Sequence, residues 1–194
     1  MSSRRVLVLL IGAMLFGATS CASSLFKVKP VVELPPISGD ARSVTAGGLI
    51  IRALPILSDE ETQDLFEANL LVGGLLPVRT ELVFESGVPV EIKRARFRLR
   101  DGSGREWKLL SPKAAASSIM KANGVFLYNP HSRKTFEQDM IAYGLVTKEP
   151  LSDANRRTQG FLFFQTPDKT PVPTNASLVL TIEKLPQPAE IKLN

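Results

Sequence analysis

Arginine is the one residue type here whose spacing suggests binding chemistry, because it occupies alternate positions at Arg94, Arg96, Arg98 and Arg100. Successive side chains of a β-strand point to opposite faces, so these four would share one face at intervals of about 6.6–7 Å. That interval could match successive phosphates or carboxylates of a lipid headgroup, a glycan or an acidic partner. The simpler interpretation is a solvated sheet face, on which the arginine stems cover apolar surface and Glu91 or Glu106 lies nearby.

The chain offers little material for catalysis or for a metal site. His131 is the only histidine and Cys21 the only cysteine, which makes a zinc site improbable. A hydrolytic triad needs a nucleophile, a base and an orienting group, and Ser103 lies in a Gly-Ser-Gly turn without the elbow motif of such enzymes. We therefore expect a protein that is not an enzyme and binds no metal or cofactor. A hydrolase centred on His131 is the weakest alternative.

The N-terminus has the pattern of an export signal over residues 1–20. Arg4 and Arg5 precede an apolar run over 6–17, and small residues follow directly before Cys21. The apolar run is shorter than the ~20 residues that a membrane-spanning helix needs. Without Arg4 and Arg5 the chain has 22 basic and 19 acidic residues. This mild excess of positive charge, in an exported protein, does not favour nucleic acid as a partner.

The tetrapeptide Ala18-Thr19-Ser20-Cys21 resembles a bacterial lipobox, with Ala18 where leucine is commonest. The resemblance implies cleavage before Cys21 and attachment of acyl chains such as palmitate, each buried CH₂ adding about 0.8 kcal/mol to membrane binding. Ala22, rather than aspartate, implies sorting to the outer membrane, facing the periplasm. An ordinary signal peptide with an incidental cysteine is the alternative. Residues 3–7 also partly resemble a twin-arginine motif, but the very apolar core favours the general secretory route.

Composition divides the mature chain into a tether, one domain and a short tail. Residues 21–47 are rich in proline and serine, which favours an extended membrane tether of up to about 75 Å at ~3.1 Å per residue. The domain is expected over 48–185 and a C-terminal tail over 186–194. Near its start, Ser58 and Glu61 form the pattern of a capping box, so the acidic residues at 59–61 need no ligand.

Alternating residues predict strands over 48–56, 76–85 and 91–100, and a hairpin turn over 101–104 leads to a strand containing Trp107. The turn predicts that Leu99 lies opposite Trp107, Arg100 opposite Glu106, and Phe97 opposite Leu109. Phe97, Leu99 and Trp107 are therefore the expected core of this hairpin.

This order of strands, with Gly160–Phe164 and Ala176–Glu183 as a closing pair, is similar to bacterial envelope lipoproteins with a single immunoglobulin-like domain. The resemblance covers residues 48–110 and 159–184. It implies a mainly β fold, an immunoglobulin-like antiparallel β-sandwich with a helical insertion before the closing strand pair. It carries no catalytic or ligand-binding motif.

The expected insertion covers residues 111–158 and is larger than a usual loop. Ser111-Pro112 begins an alanine-rich helix that ends at Asn123-Gly124, and a second helix follows over 132–143. In the second helix Phe136, Met140 and Tyr143 share one face. This stripe either packs onto the sandwich, which is the simpler interpretation, or forms a partner face.

Together these patterns predict a membrane-anchored lipoprotein of the bacterial cell envelope. Its domain would act as a non-enzymatic binding or assembly module for another envelope protein, with the membrane reached through Cys21. The alternative from another class is a binder of anionic lipid or glycan that uses the arginine-bearing strand face.

Overall fold

The computed structural model describes residues 25–30, 33–37, 39–126, 129–146 and 148–194. The expected signal over 1–20 and the proposed lipid attachment at Cys21 lie outside these residues. The strands are β1 Arg42–Ala46, β2 Leu49–Pro55, β3 Leu75–Phe84, β4 Arg96–Asp101, β5 Glu106–Leu110, β6 Arg157–Gln165, β7 Leu178–Glu183 and β8 Ala189–Lys192. The helices are α1 Asp59–Phe66, α2 Pro112–Ala122 and α3 Pro130–Tyr143, with a short 3₁₀ turn at Ile92–Arg94.

All eight strands belong to one antiparallel sheet in the order β1-β2-β3-β6-β5-β4-β7-β8. Its two edge strands, β1 and β8, lie against each other, so the sheet nearly closes into a barrel. The expectation of a mainly β antiparallel fold is confirmed. The expected pair of separate sheets is replaced by this single, barrel-like sheet.

Strand β5 explains the continuity of the sheet. Its first residues pair with β4, where Trp107 lies opposite Leu99, and its last residues pair with β6, where Leu110 lies opposite Phe163. The strand thus joins the group β1-β2-β3-β6 to the group β4-β7-β8. A sequence pattern that gives strand positions and a hairpin does not specify this change of partner.

Two strands lie where the sequence analysis placed a tether and a tail. β1 falls within 21–47 and pairs with β2 through a two-residue turn at Gly47 and Gly48, whose φ angles of 56° and 78° suit the tight turns of β-hairpins. β8 falls within 186–194 and pairs with β7. Residues 25–30 and 33–37 also pack on the domain, since Leu25, Phe26 and Leu34 contact its apolar outer layer.

The apolar residues form two clusters on opposite faces of the sheet. Leu76, Leu82, Trp107 and Phe164 belong to the interior cluster. The outer cluster lies between the sheet and the helices, and it includes Phe66, Phe136 and Tyr143 from the helices with Phe161 and Phe163 from β6. Strands β3 and β6 are therefore buried on both faces, which is why their residues read as almost continuously buried. The insertion at 111–158 supplies seven of the fifteen buried residues of this outer cluster.

Candidate functional site

The arginine row begins outside the strand that was expected to carry it. Arg94 ends the 3₁₀ turn at Ile92–Arg94, and only Arg96, Arg98 and Arg100 lie on β4. Ile92 is buried in the interior cluster, and the Ala95 amide donates a hydrogen bond to the Ile92 carbonyl, which holds the turn. The predicted strand over 91–100 is thus shortened at its start, and Arg94 is out of register with the other three.

Two carboxylates compensate half of the row. Arg98 lies 3.2 Å from Glu106 and 3.3 Å from Glu183, while Arg100 lies 3.7 Å from Glu106. Arg94 and Arg96 are exposed, and neither has an ion pair among the described residues. Exposed pairs of this kind contribute only about 0–1 kcal/mol each, so the row is a solvated face with two uncompensated cations.

The hairpin that carries the row has the predicted register. Leu99 lies opposite Trp107 and Arg100 opposite Glu106, as expected, and both Leu99 and Trp107 are buried. Phe97 is only half-buried and Leu109 is exposed, and Leu109 pairs with Phe164 of β6. The expected pairing of Phe97 with Leu109 is wrong because β5 changes partner beyond Trp107.

Asp101 fixes the turn of this hairpin. Its carboxylate accepts hydrogen bonds from the Ser103 hydroxyl at 2.5 Å, from the Trp107 indole at 3.2 Å and from the Arg105 amide at 3.1 Å. Hydrogen bonds to the charged form, first among them that from Ser103, lower the pKa of Asp101 to about 2. This arrangement orders the turn and gives no sign of a reactive group.

The stripe on α3 is not a free partner face. Phe136 and Met140 are fully buried and Tyr143 is 2% exposed, all three within the outer cluster. Phe26 from the N-terminal segment lies 5.1 Å from Phe136, and Tyr143 stacks on Phe161 at 5.2 Å between ring centroids. The simpler interpretation of the stripe, packing onto the β domain, is the one that the structure shows.

The most unusual charges lie on the outer face of β3, where the N-terminal segment and α1 lie beside Arg79. Glu81 is almost fully buried and lies 2.5 Å from both Arg52 of β2 and Arg157 of β6. Arg79 lies two positions away on the same face, is 7% exposed, and donates a hydrogen bond from Nη2 to the Pro35 carbonyl. Burial lowers the pKa of Arg79, and the nearby Glu81 opposes that effect.

Arg79 also forms part of the wall of a cavity of about 460 Å³. The cavity lies between the N-terminal segment, α1 and the outer face of the sheet. Its walls are mainly apolar, from Leu34, Leu54, Ile56, Leu65 and Phe161. A buried guanidinium within a mostly apolar pocket of this size is a common arrangement for recognising a small ligand.

Sequence reasoning missed this cluster for a simple reason. In an isolated reading of β3, Arg79 and Glu81 alternate with Val78 and Thr80, which places them on a solvent-facing side. That face is instead covered by residues that are distant in sequence, among them Pro35 and Phe161. The one available sign of burial was that Arg79 and Glu81 share their face of β3 with the apolar residues Leu75 and Val83.

The remaining candidates for chemistry are isolated. His131 is exposed at the start of α3, where its amide donates to the Asn129 side chain that caps the helix. Across the part of the chain that the structure describes, no group of three potential ligands could hold a metal ion.

No described helix is long and apolar enough to cross a membrane. Tyr143 has a buried hydroxyl without a hydrogen-bond partner among the described residues, and burial raises its pKa.

Comparison with known proteins gives no relative from which a role could be transferred: no family model, no curated protein and no solved structure matches the chain.

Proposed function

We propose that this protein is a lipid-anchored component of the bacterial cell envelope, placed in the outer membrane and facing the periplasm. Its domain would bind another envelope component without catalysing a reaction. The lipobox-like residues Ala18–Cys21 support the anchor. On this proposal, the barrel-like sheet is a variant of the immunoglobulin-like domains that the strand pattern resembles.

The observation that carries the proposal is how soon the packed structure begins after Cys21. Leu25 and Phe26 already contact the outer cluster, and the Lys27 amide donates to Glu67 at 2.7 Å. An extended chain spans at most about 3.6 Å per residue, so Leu25 lies within about 14 Å of Cys21. A lipid on Cys21 would therefore hold the domain at the membrane surface, and the long reach expected of a 21–47 tether does not apply.

The anchor is tested by the intact mass of the protein recovered from membranes. We expect loss of residues 1–20 and a gain equal to a diacylglyceryl group, with or without a further acyl chain. The Cys21→Ser variant should lose this gain and leave the membrane fraction. A mature wild-type protein with an unmodified Cys21 thiol would refute the anchor.

The helical insertion is the face that we assign to a partner. Six large apolar side chains are markedly exposed among the described residues, and three of them, Phe126, Ile141 and Val146, lie in or beside α3. The other three are Val72, Val88 and Leu109. Aromatic and aliphatic side chains of this kind are the usual anchors of protein interfaces.

A photo-crosslinking amino acid at Phe126 or at Ile141 tests this face in the membrane-anchored protein. We expect a discrete adduct with one envelope protein, whereas the same group at Val88, also exposed, should give none. Equal labelling at all three positions, or the absence of an adduct, would count against the assignment.

The alternative, binding of anionic lipid or glycan, draws support from the uncompensated charges of Arg94 and Arg96. The chain from residue 21, with Cys21→Ser, can be mixed with vesicles containing an anionic phospholipid. Replacing Arg94, Arg96 and Arg98 by serine should then abolish binding, while replacing Lys121, Lys134 and Lys148, which are also exposed, should leave most of it. Unchanged binding after the arginine replacements would eliminate this alternative.

A further inference from the structure

The cavity beside Arg79 has the construction of a small-molecule site that is separate from the arginine row and from the helical face. Its volume of about 460 Å³ is within the range of about 300–1,000 Å³ that ligand sites occupy. The N-terminal segment forms one wall, held to α1 by a hydrogen bond of 2.9 Å from the Lys29 amide to the Leu65 carbonyl. The opposite wall is the rigid outer face of β2, β3 and β6.

Arg79 is the only buried cation in this wall, and its charge lacks a direct partner. No carboxylate of the described residues forms an ion pair with it, and the remaining residues of the chain include neither aspartate nor glutamate. The nearest candidate, Glu81, is already held by Arg52 and Arg157 at 2.5 Å each. One hydrogen bond, to Pro35, leaves other guanidinium donors for a ligand.

The rim of the cavity limits the charge that a ligand can carry. Glu60, Glu61 and Asp64 of α1 line it, and among the described residues only Asp64 has an ion pair, with Lys29 at 2.8 Å. A phosphate with two negative charges would be repelled by this rim. A single carboxylate can reach Arg79, where a guanidinium binds it with two parallel hydrogen bonds.

We propose that this cavity binds an aliphatic monocarboxylate, with the carboxylate on Arg79 and the hydrocarbon chain against Leu54, Ile56 and Phe161. The apolar walls account for the hydrocarbon and the buried guanidinium for the acid group. The site needs neither the lipid on Cys21 nor a protein partner, so its test is independent of the proposed function.

The test uses calorimetric titration of the chain from residue 21 with Cys21→Ser, which retains every described residue. Decanoate should bind at one site per chain. Octanoate should bind about 15-fold more weakly, since two fewer methylenes are buried at about 0.8 kcal/mol each. Decanol and decylamine should bind at least about tenfold more weakly than decanoate, because decanol carries no negative charge to pair with the guanidinium and decylamine is itself a cation. Decyl phosphate should also bind more weakly, because of the acidic rim.

Variants separate the site from nonspecific uptake of an amphiphile. Arg79→Met should weaken decanoate at least about tenfold without weakening decanol, and Arg100→Met is the matched control, which should change neither. Leu54→Trp should fill the cavity and weaken both ligands while Arg79 is retained. The near-ultraviolet circular dichroism of Trp107 shows whether Arg79→Met folds. If Arg79→Met does not fold, the Leu54→Trp variant tests the site in its place.

Three results would overturn the proposal. The first is equal affinity for decanoate and decanol, and the second is tighter binding of decyl phosphate than of decanoate. The third is unchanged decanoate binding in a folded Arg79→Met or Leu54→Trp protein.

Discussion

At the scale of single residues, charged side chains on alternating positions of two strands differ in burial: the arginines of β4 are exposed or half-buried, whereas Glu81 of β3 is buried. Arg98 and Arg100 share Glu106 on an exposed face, where solvent weakens the attraction. Glu81 is almost fully buried between two arginines, where an unpaired charge would be costly. The sequence showed the exposed group clearly, whereas the buried group is evident only from the pairing of three strands.

Replacing Glu81 with glutamine should lower the free energy of unfolding by about 2–3 kcal/mol. The loss is less than that for a fully buried pair, because Arg52 and Arg157 are 39% and 51% exposed at their side chains. Glu106→Gln is the matched control and should cost at most about 1 kcal/mol. Urea unfolding followed by circular dichroism measures both, and equal losses would show that Glu81 is not effectively buried.

Asp101 should make the stability of the hairpin depend on pH in the acid range. Its pKa in the folded protein is about 2, below the ordinary value of 3.8, so the unfolded state binds the proton more readily. The stabilisation is therefore complete above about pH 5 and is lost as the pH falls through 4 towards 2. Asp101→Ala should remove it, at a cost of roughly 2 kcal/mol at neutral pH.

Trp107 reports this change directly, because it is the only tryptophan and its indole donates to Asp101. Its fluorescence during urea unfolding at pH 7 and at pH 3 gives the two free energies. The difference between them should be smaller in Asp101→Ala than in the wild type. A difference of the same size in both proteins would assign the pH dependence to other carboxylates.

At the scale of elements, local patterns predicted what local interactions form. Ser58 caps α1 and accepts from the Glu61 amide, and the hairpin of β4 and β5 has its expected register at Leu99 and Arg100. The sequence did not specify which elements cover β3 or where β5 changes partner, since both depend on residues far apart in the chain. Strand β1 did have a local signal, the Gly47-Gly48 turn. The proline and serine content of residues 21–47 favoured a tether instead.

The end of α3 rests on β6 because Gly160 has no side chain. A β-carbon there would meet the Leu145 amide nitrogen and α-carbon at 2.6 Å and the Gly144 carbonyl carbon at 2.7 Å. We expect Gly160→Ala to lower the free energy of unfolding by about 1–3 kcal/mol, because backbone must move to admit the methyl group. Gly39→Ala should be nearly neutral, because its β-carbon would meet no atom within 4 Å.

Hydrogen exchange locates the effect of Gly160→Ala. The Leu145 amide donates to the Phe161 carbonyl at 3.3 Å, so this amide should exchange faster in the variant. Unchanged exchange at Leu145 with an unchanged unfolding midpoint would mean that the contact between α3 and β6 adjusts without loss.

At the scale of the whole molecule, the sheet is shaped by its two ends, which the composition assigned to a tether and a tail. β1 and β8 lie against each other, and β1 is followed by a tight turn into β2. The N-terminal segment covers the outer cluster, so the chain preceding β1 is part of the fold. The sequence shows that the segments containing β1 and β8 are short and partly polar. Whether these two strands meet and close the barrel depends on the curvature of the six strands between them.

Removing residues 186–194 should therefore unfold the domain instead of trimming a tail. Ala189, Ile191 and Leu193 are each buried in the interior cluster, and the Leu193 amide donates to the Leu178 carbonyl at 2.9 Å.

A single change, Ile191→Ala, should cost about 2–4 kcal/mol through the lost burial and the cavity that remains. Glu190→Ser and Lys192→Ser alternate with it on the exposed face and should cost less than about 0.5 kcal/mol each. Thermal unfolding and gel filtration distinguish these outcomes. A truncated protein that stayed monomeric and melted as cooperatively as the wild type would show that the barrel does not need β8, because the other seven strands would then suffice to bury the interior cluster.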